Sequence, residues 1–152
     1  MGLFSFSKDA GAKPVAAAKS TVSVEEQNRQ KVTAMRHAVD ELQLPVHDLV
    51  LEIHDDTVTV YGQAETQVAK ELVVLTLGNN MGVKTVDDRM SVVAPEPEAT
   101  FYEVKSGDSL SKIAKHVYGD ATKYNVIFEA NKPMLKDPDR IYPGQMLRIP
   151  AL

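Results

Sequence analysis

The stretch Ala94-Pro-Glu-Pro-Glu-Ala-Thr100 packs two prolines and two glutamates into seven residues and offers almost nothing to bury. Proline fixes φ and removes an amide donor, so such a run reads as a semi-extended linker. It divides the 152-residue chain into an amino-terminal segment (1–22), a unit of roughly seventy residues (23–93) and a unit of roughly fifty (101–152). Units this small bury limited cores, and proteins of that size often add a disulfide or a structural metal. The chain has no cysteine, which excludes disulfides, thiolate zinc sites, iron–sulfur clusters and thiol nucleophiles together. Reinforcement must then come from contact between the units or from a ligand held by oxygen or imidazole.

Periodicity sets the elements. After a capping-box pair, Ser23 and Glu26, the residues Val32, Met35, Val39 and Leu42 recur at helical spacing until Pro45. Leu49, Leu51 and Ile53 alternate, Asp55-Asp56 supplies a turn, and Val58 and Val60 alternate again before Gly62, which predicts a hairpin. Val68, Leu72 and Leu75, with Val73 and Leu77, predict a second helix ending at Gly78, and Val86, Met90 and Val92 a third strand. The order α-β-β-α-β makes a small α+β unit with two helices on one sheet. Beyond the linker, Phe101–Val104 predicts a strand and Asp108 or Ser109 caps a helix carrying Leu110, Ile113, Ala114 and Val117. A second helix follows from Asp120, and the turn Tyr142-Pro143-Gly144 leads into the strand Met146–Ile149, for an order β-α-α-β.

Charge and aromatic content narrow the partners. The formal net charge is −4, aromatic residues are 6% and tryptophan is absent, which argues against nucleic acid. Segment 1–22 carries +2, 23–93 carries −6, the linker −2 and 101–152 +2, so the two units attract each other weakly through screening salt. A secretory signal needs a basic region and then an apolar run of about 7 to 15 residues, whereas Leu3, Phe4 and Phe6 come first and are broken by serines. No run approaches the ~18 apolar residues of a membrane span, and Phe6 stands where a myristoylation pattern needs Ser or Thr. The expectation is a cytoplasmic protein without a membrane partner. Leu3, Phe4 and Phe6 belong either to a mobile tail or to a segment docked on the body.

Catalytic and metal constellations are weak. His37, His47 and His54 match no local zinc spacing, and Asp55-Asp56 and Asp87-Asp88 lack the pattern of a calcium loop. Adjacent strand residues point to opposite faces, so Asp87 and Asp88 do not readily share an ion. Ser109 and His116 could be written into a triad, but no nucleophile elbow surrounds Ser109, and a helix cap accounts for it better. The expectation is a protein that is not an enzyme. More suggestive is Leu77-Gly78-Asn79-Asn80-Met81-Gly82-Val83: a helix ending there leaves carbonyls unpaired at the dipole end that favours cations. Such a loop is either a plain turn or a ring of neutral oxygens, which suits a weakly hydrated monovalent cation and suits Mg²⁺ poorly.

The runs Phe101-Tyr-Glu-Val-Lys-Ser-Gly-Asp-Ser-Leu-Ser-Lys-Ile-Ala114, Ile127-Phe-Glu-Ala-Asn131 and Ile141-Tyr-Pro-Gly-Gln-Met-Leu-Arg-Ile-Pro150 resemble the LysM module. Thr57-Val-Thr-Val-Tyr-Gly62 and Gly82-Val-Lys-Thr-Val-Asp-Asp88, in their α-β-β-α-β order, look like a BON domain. Together with Met1-Gly-Leu-Phe4, Lys8-Asp-Ala-Gly11 and the run from Asn125 to Lys136, the pairing is similar over the whole chain to the bacterial BON-LysM potassium-binding family. Residues 12–22 depart from that pattern. The resemblance implies a cytoplasmic K⁺ sensor of the stress response, monomeric with a contact between its domains, which becomes more compact on binding. K⁺, with Rb⁺ or Cs⁺ as congeners, would be held by main-chain carbonyls at Ser7, Ala10, Gly78, Asn80 and Val83. The alternative the resemblance carries is binding of N-acetylglucosamine polymers such as peptidoglycan in a LysM groove at Gly107, Asp108, Ser109, Leu110, Asn131 and Pro133.

Overall fold

The computed structural model describes residues 2–6, 13–14 and 24–152. The capping residue expected at Ser23 lies outside the described residues. In chain order the elements are β1 (Gly2–Ser5), β2 (Lys13–Pro14), α1 (Val24–Asp40), β3 (Val46–His54), β4 (Thr57–Thr66) and α2 (Gln67–Gly78). There follow β5 (Asn80–Met81), β6 (Thr85–Ala94), β7 (Thr100–Glu103), α3 (Leu110–Tyr118), a 3-10 turn (Ala121–Lys123), α4 (Tyr124–Ala130) and β8 (Met146–Ile149). The architecture is α+β.

The first half is built on a four-stranded sheet of order β1-β6-β4-β3. β3 and β4 form the antiparallel hairpin around Asp55, whose φ of 56° uses the left-handed region that Asp tolerates. β4 and β6 are parallel, so the chain must cross over between them, and α2 is that crossover. The Thr66 hydroxyl starts α2 by accepting the Ala69 amide at 3.1 Å. Met35 and Val39 of α1, Leu51, Val58, Val60, Val86 and Met90 of the sheet, and Val73, Leu75 and Leu77 of α2 close one core. β4 does not stop at Gly62 but runs on to Thr66. A shift of register between His47 and Val50 bends β3 around Gly62, where a β-carbon would lie 3.1 Å from the His47 carbonyl.

The second half keeps the order β-α-α-β, with β7 and β8 antiparallel. Ser109 caps α3 by accepting the Lys112 amide at 3.2 Å, and Gly119 ends it in the left-handed region at φ 77°. Val104, Leu110, Ile113, Ala114, Ile127, Leu135, Leu147 and Ile149 form its own core.

Two features go beyond the periodic reading. The sheet has a fourth strand, because Gly2–Ser5 pairs antiparallel with β6 from Gly2 opposite Asp88 to Ser5 opposite Thr85. Leu3 points to solvent and is 73% exposed, while Phe6, just beyond the strand, is 7% exposed. Gly78 is the last residue of α2 rather than a left-handed terminator, and the cap falls on Asn79 at φ −80°. Its missing side chain makes room for Phe6, since a β-carbon at Gly78 would lie 2.0 Å from Phe6 Cζ. The glycine is a seat for an aromatic ring.

A thermodynamic cycle tests that seat. Phe6→Ala is expected to cost about 3 kcal/mol as a buried aromatic truncation, and Gly78→Ala about as much by expelling the ring. In the Phe6→Ala background, Gly78→Ala becomes an ordinary helical Gly→Ala change and is expected to gain about 1 kcal/mol. Urea unfolding of the four proteins measures the coupling, and additive losses would show that ring and glycine do not act as one contact.

Candidate functional site

The turn after α2 gathers the residues that sequence reasoning singled out. The Asn79 amide donates to the Leu75 carbonyl at 2.9 Å. The Asn80 side chain donates to the Thr76 carbonyl at 2.7 Å and, more weakly, to that of Leu77 at 3.5 Å. Protein groups therefore take up the carbonyls of Leu75, Thr76 and Leu77, and the expected ligand positions Gly78, Asn80 and Val83 lie at the helix end and in the turn that follows. The Asn80 carbonyl accepts the Val83 amide at a long 3.3 Å, which leaves its second lone pair. Gly82, at φ +91° with open space where a β-carbon would stand, lets the chain reverse here. Neutral oxygens at the negative end of a helix dipole fit a singly charged ion with a loosely held hydration shell. Among the described residues no three His, Asp or Glu side chains gather to hold a metal.

Ser7 and Ala10 lie outside the described residues. Their described neighbours on either side both reach this turn. The Phe6 amide donates to the Lys84 carbonyl at 2.6 Å, and Lys13 and Pro14 pair in parallel with Asn80 and Met81. The segment from 6 to 13 thus begins and ends at the residues 80–84.

The side of α2 that bears Glu71, together with Asn79 of the turn itself, carries the contact with the second half. Glu71, 5% exposed, accepts at one carboxylate oxygen from Arg148 Nε at 2.5 Å. Its other oxygen accepts from Gln67 Nε2 at 3.2 Å and from the linker amide of Ala99 at 3.1 Å. A buried carboxylate is tolerated when it is paired and its remaining lone pairs are filled, and three donors meet that condition here. Asn79 Nδ2 donates to the Met146 carbonyl at 3.0 Å, and the Met146 amide donates back to Asn79 Oδ1 at 2.8 Å. The Phe4 and Phe101 rings meet with centroids 5.4 Å apart. A cavity of about 270 Å³ lies within this junction, between Phe4, Lys70, Asp88, Glu98 and Phe101. Asp88 is buried there with Lys70 Nζ 3.2 Å away, while Asp87 sits on the other face beside Arg89. A cleft of about 260 Å³ on the far side is lined by Leu42, Thr76, Asn80 and Tyr142, and burial pushes the Tyr142 phenol up to about 12.

The glycan-groove residues divide. Gly107 is exposed at φ +86°, and the Asp108 carboxylate accepts from the Lys105 amide and the Tyr102 hydroxyl, each at 2.9 Å. Ser109 is occupied as the cap of α3, and Pro133 is half-buried. Leu110 and Asn131 are different, because their side chains are closed off from solvent. Leu110 belongs to the core, and Asn131 spends its amide on Ile127 and on both main-chain groups of Arg148. Their side chains cannot line a groove. The histidines are exposed, His37 beside Glu41, His47 beside Glu65 and His54 beside Asp55.

Sequence reasoning passed over Glu71, Asn79 and Arg148. A signal existed for Glu71, a lone carboxylate in the apolar run Leu72-Val-Val-Leu75 and its surroundings. Nothing local marked its partner, 77 residues away.

Residues 102–150 match the family model described as the LysM domain. Among known proteins, the potassium binding protein Kbp of Escherichia coli O6:H1 is 46% identical over 151 residues, covering 99% of this chain and 99% of its own. An uncharacterized protein of Deinococcus radiodurans is 57% identical over 52 residues, which cover 34% of this chain and 20% of that protein. The uncharacterized protein YqbP of Bacillus subtilis is 41% identical over 76 residues, 44% of this chain and 33% of its own.

Removing one partner of the buried pair is expected to be costly, because the other charge stays behind. Arg148→Ala should lower unfolding stability by about 3–5 kcal/mol, and Glu71→Met with Arg148→Met should recover most of that loss. Chemical denaturation decides the matter; a single mutant as stable as the parent would mean that the pair contributes nothing.

Proposed function

This chain belongs to the family of the potassium binding protein Kbp, and we propose that it binds K⁺ as a cytoplasmic ion sensor with no catalytic activity. On this reading 23–93 is a BON unit and 101–152 a LysM unit, joined by 94–100 and completed by residues 1–22. The ion is held by main-chain carbonyls of the turn at Gly78, Asn80 and Val83 and of the amino-terminal segment at Ser7 and Ala10. The observation that carries this reading is the convergence of Phe6 and Lys13 on residues 80–84. That the described residues on either side of 7–12 both meet this turn supports a shell shared between the turn and the amino-terminal segment.

Binding stabilises whichever state holds the shell together. An ion shifts an equilibrium only through its different affinities for the two states, so K⁺ must prefer the docked arrangement if the molecule becomes more compact. The contacts among β1, α2, the linker and β8 supply the arrangement to be preferred. Among the described residues no helix is long and apolar enough to cross a membrane.

A second reading rests on the LysM match. The exposed Gly107 and the neighbouring Asp108, Ser109 and Pro133 remain positions at which an N-acetylglucosamine polymer could be contacted. Co-sedimentation with purified peptidoglycan separates the two readings.

Calorimetric titration of the dialysed protein is expected to give heat with K⁺ and none with Na⁺, and K⁺ at 100 times Kd should add about 2.7 kcal/mol of stability. Scattering profiles should show a smaller radius of gyration in KCl than in NaCl, and Phe6→Ala should weaken K⁺ binding. Absence of K⁺ heat, with identical profiles in both salts, would falsify the proposal.

A further inference from the structure

The outer edge of β8 is closed by two asparagines that come from different halves of the molecule. Met146 and Arg148 alternate along the strand and turn their main-chain groups away from β7. Asn131, from the same half, donates to the Arg148 carbonyl at 2.9 Å and accepts the Arg148 amide at 2.7 Å. Asn79, from the first half, treats Met146 in the same way at 3.0 and 2.8 Å. A side-chain amide offers one donor face and one acceptor face, so it can stand in for a neighbouring strand. The two clamps are chemically alike, and only one of them is lost when the halves separate.

Asn79 lies between Gly78 and Asn80, two of the positions assigned to the ion. We propose that Asn79 is the positioning residue that links K⁺ occupancy to docking of the second half, an inference that rests on the potassium reading above. Each residue has only two soft dihedrals. An ion that fixes the Gly78 carbonyl holds the peptide plane that enters Asn79, and one that also fixes the Asn80 carbonyl holds the plane that leaves Asn80. The 79–80 plane between them thus loses freedom, and the Asn79 amide is aimed at Met146. When the ion leaves, that restriction is released and the clamp on β8 loosens. Arg148 keeps its own clamp in either state, because Asn131 moves with β8.

Amide hydrogen exchange followed residue by residue tests this within one molecule. K⁺ is expected to slow exchange at Met146 by roughly 5- to 150-fold, the span of typical coupling between sites, and to leave Arg148 unchanged. Coupling is reciprocal, so Asn79→Ala should weaken K⁺ binding by up to the same factor and abolish the K⁺-dependent change in radius of gyration. Asn79→Asp keeps the size and the acceptor and loses the donor, and it should fall between the two. Protection of the Arg148 amide reports that the second half of each variant remains folded. A parent protein that takes up no K⁺ overturns the functional reading and the coupling together. A parent that binds K⁺ while Met146 and Arg148 respond alike, or an Asn79→Ala variant that still compacts like the parent, overturns the coupling alone.

Discussion

Helix α2 is buried on both sides, and the rest of the molecule is arranged around that constraint. One side carries Ala69, Val73 and Leu77, four residues apart, into the core over the sheet. Along the rest of the helix Gln67, Glu71 and Gly78 are buried as well, against the linker, β8 and Phe6. A helix with no solvent face cannot be completed by one small domain. The buried carboxylate of Glu71 is acceptable only while Arg148 and the Ala99 amide fill its lone pairs, so the second half and the linker are part of the environment that lets α2 exist as it does.

The amino-terminal segment enters the same structure from the other end of the helix. β1 extends the sheet at β6, Phe6 stands on Gly78, and Phe4 meets Phe101 of the second half. Three parts of the chain that are distant in sequence therefore meet around the last turns of α2. A ligand held at the following turn, as proposed, would touch a place where a change in main-chain geometry is felt by all of them. That is the physical reason the proposed carbonyl site would act beyond its own turn.

Much of the framework was legible because it depends on local periodicity. Helical spacing of Met35 and Val39, alternation of Val58 and Val60, and a cap at Asp108 or Ser109, which the structure places at Ser109, follow from rules that act over a few residues. The same alternation implied that Asp87 and Asp88 point to opposite faces, and in the structure Asp88 is the buried one, beside Lys70. Less legible were elements whose stability is borrowed from afar. β1 is four residues long and has no stability of its own, so only pairing with β6 makes it a strand. Gly62 reads as a stop, and it is instead the point that lets β3 bend across β4.

By itself the sequence determined the α+β class and the order of its main helices and strands. It also determined that no sulfur chemistry would support two small cores. The tertiary structure alone decided that Gly78 receives Phe6, that Glu71 is answered by Arg148, and that Asn79 and Asn131 close one strand edge from two halves. The division has a physical cause. Periodicity and capping are short-range energies written in neighbouring residues, whereas a buried charge, a ring on a glycine and a strand edge are satisfied by whichever groups the fold brings near.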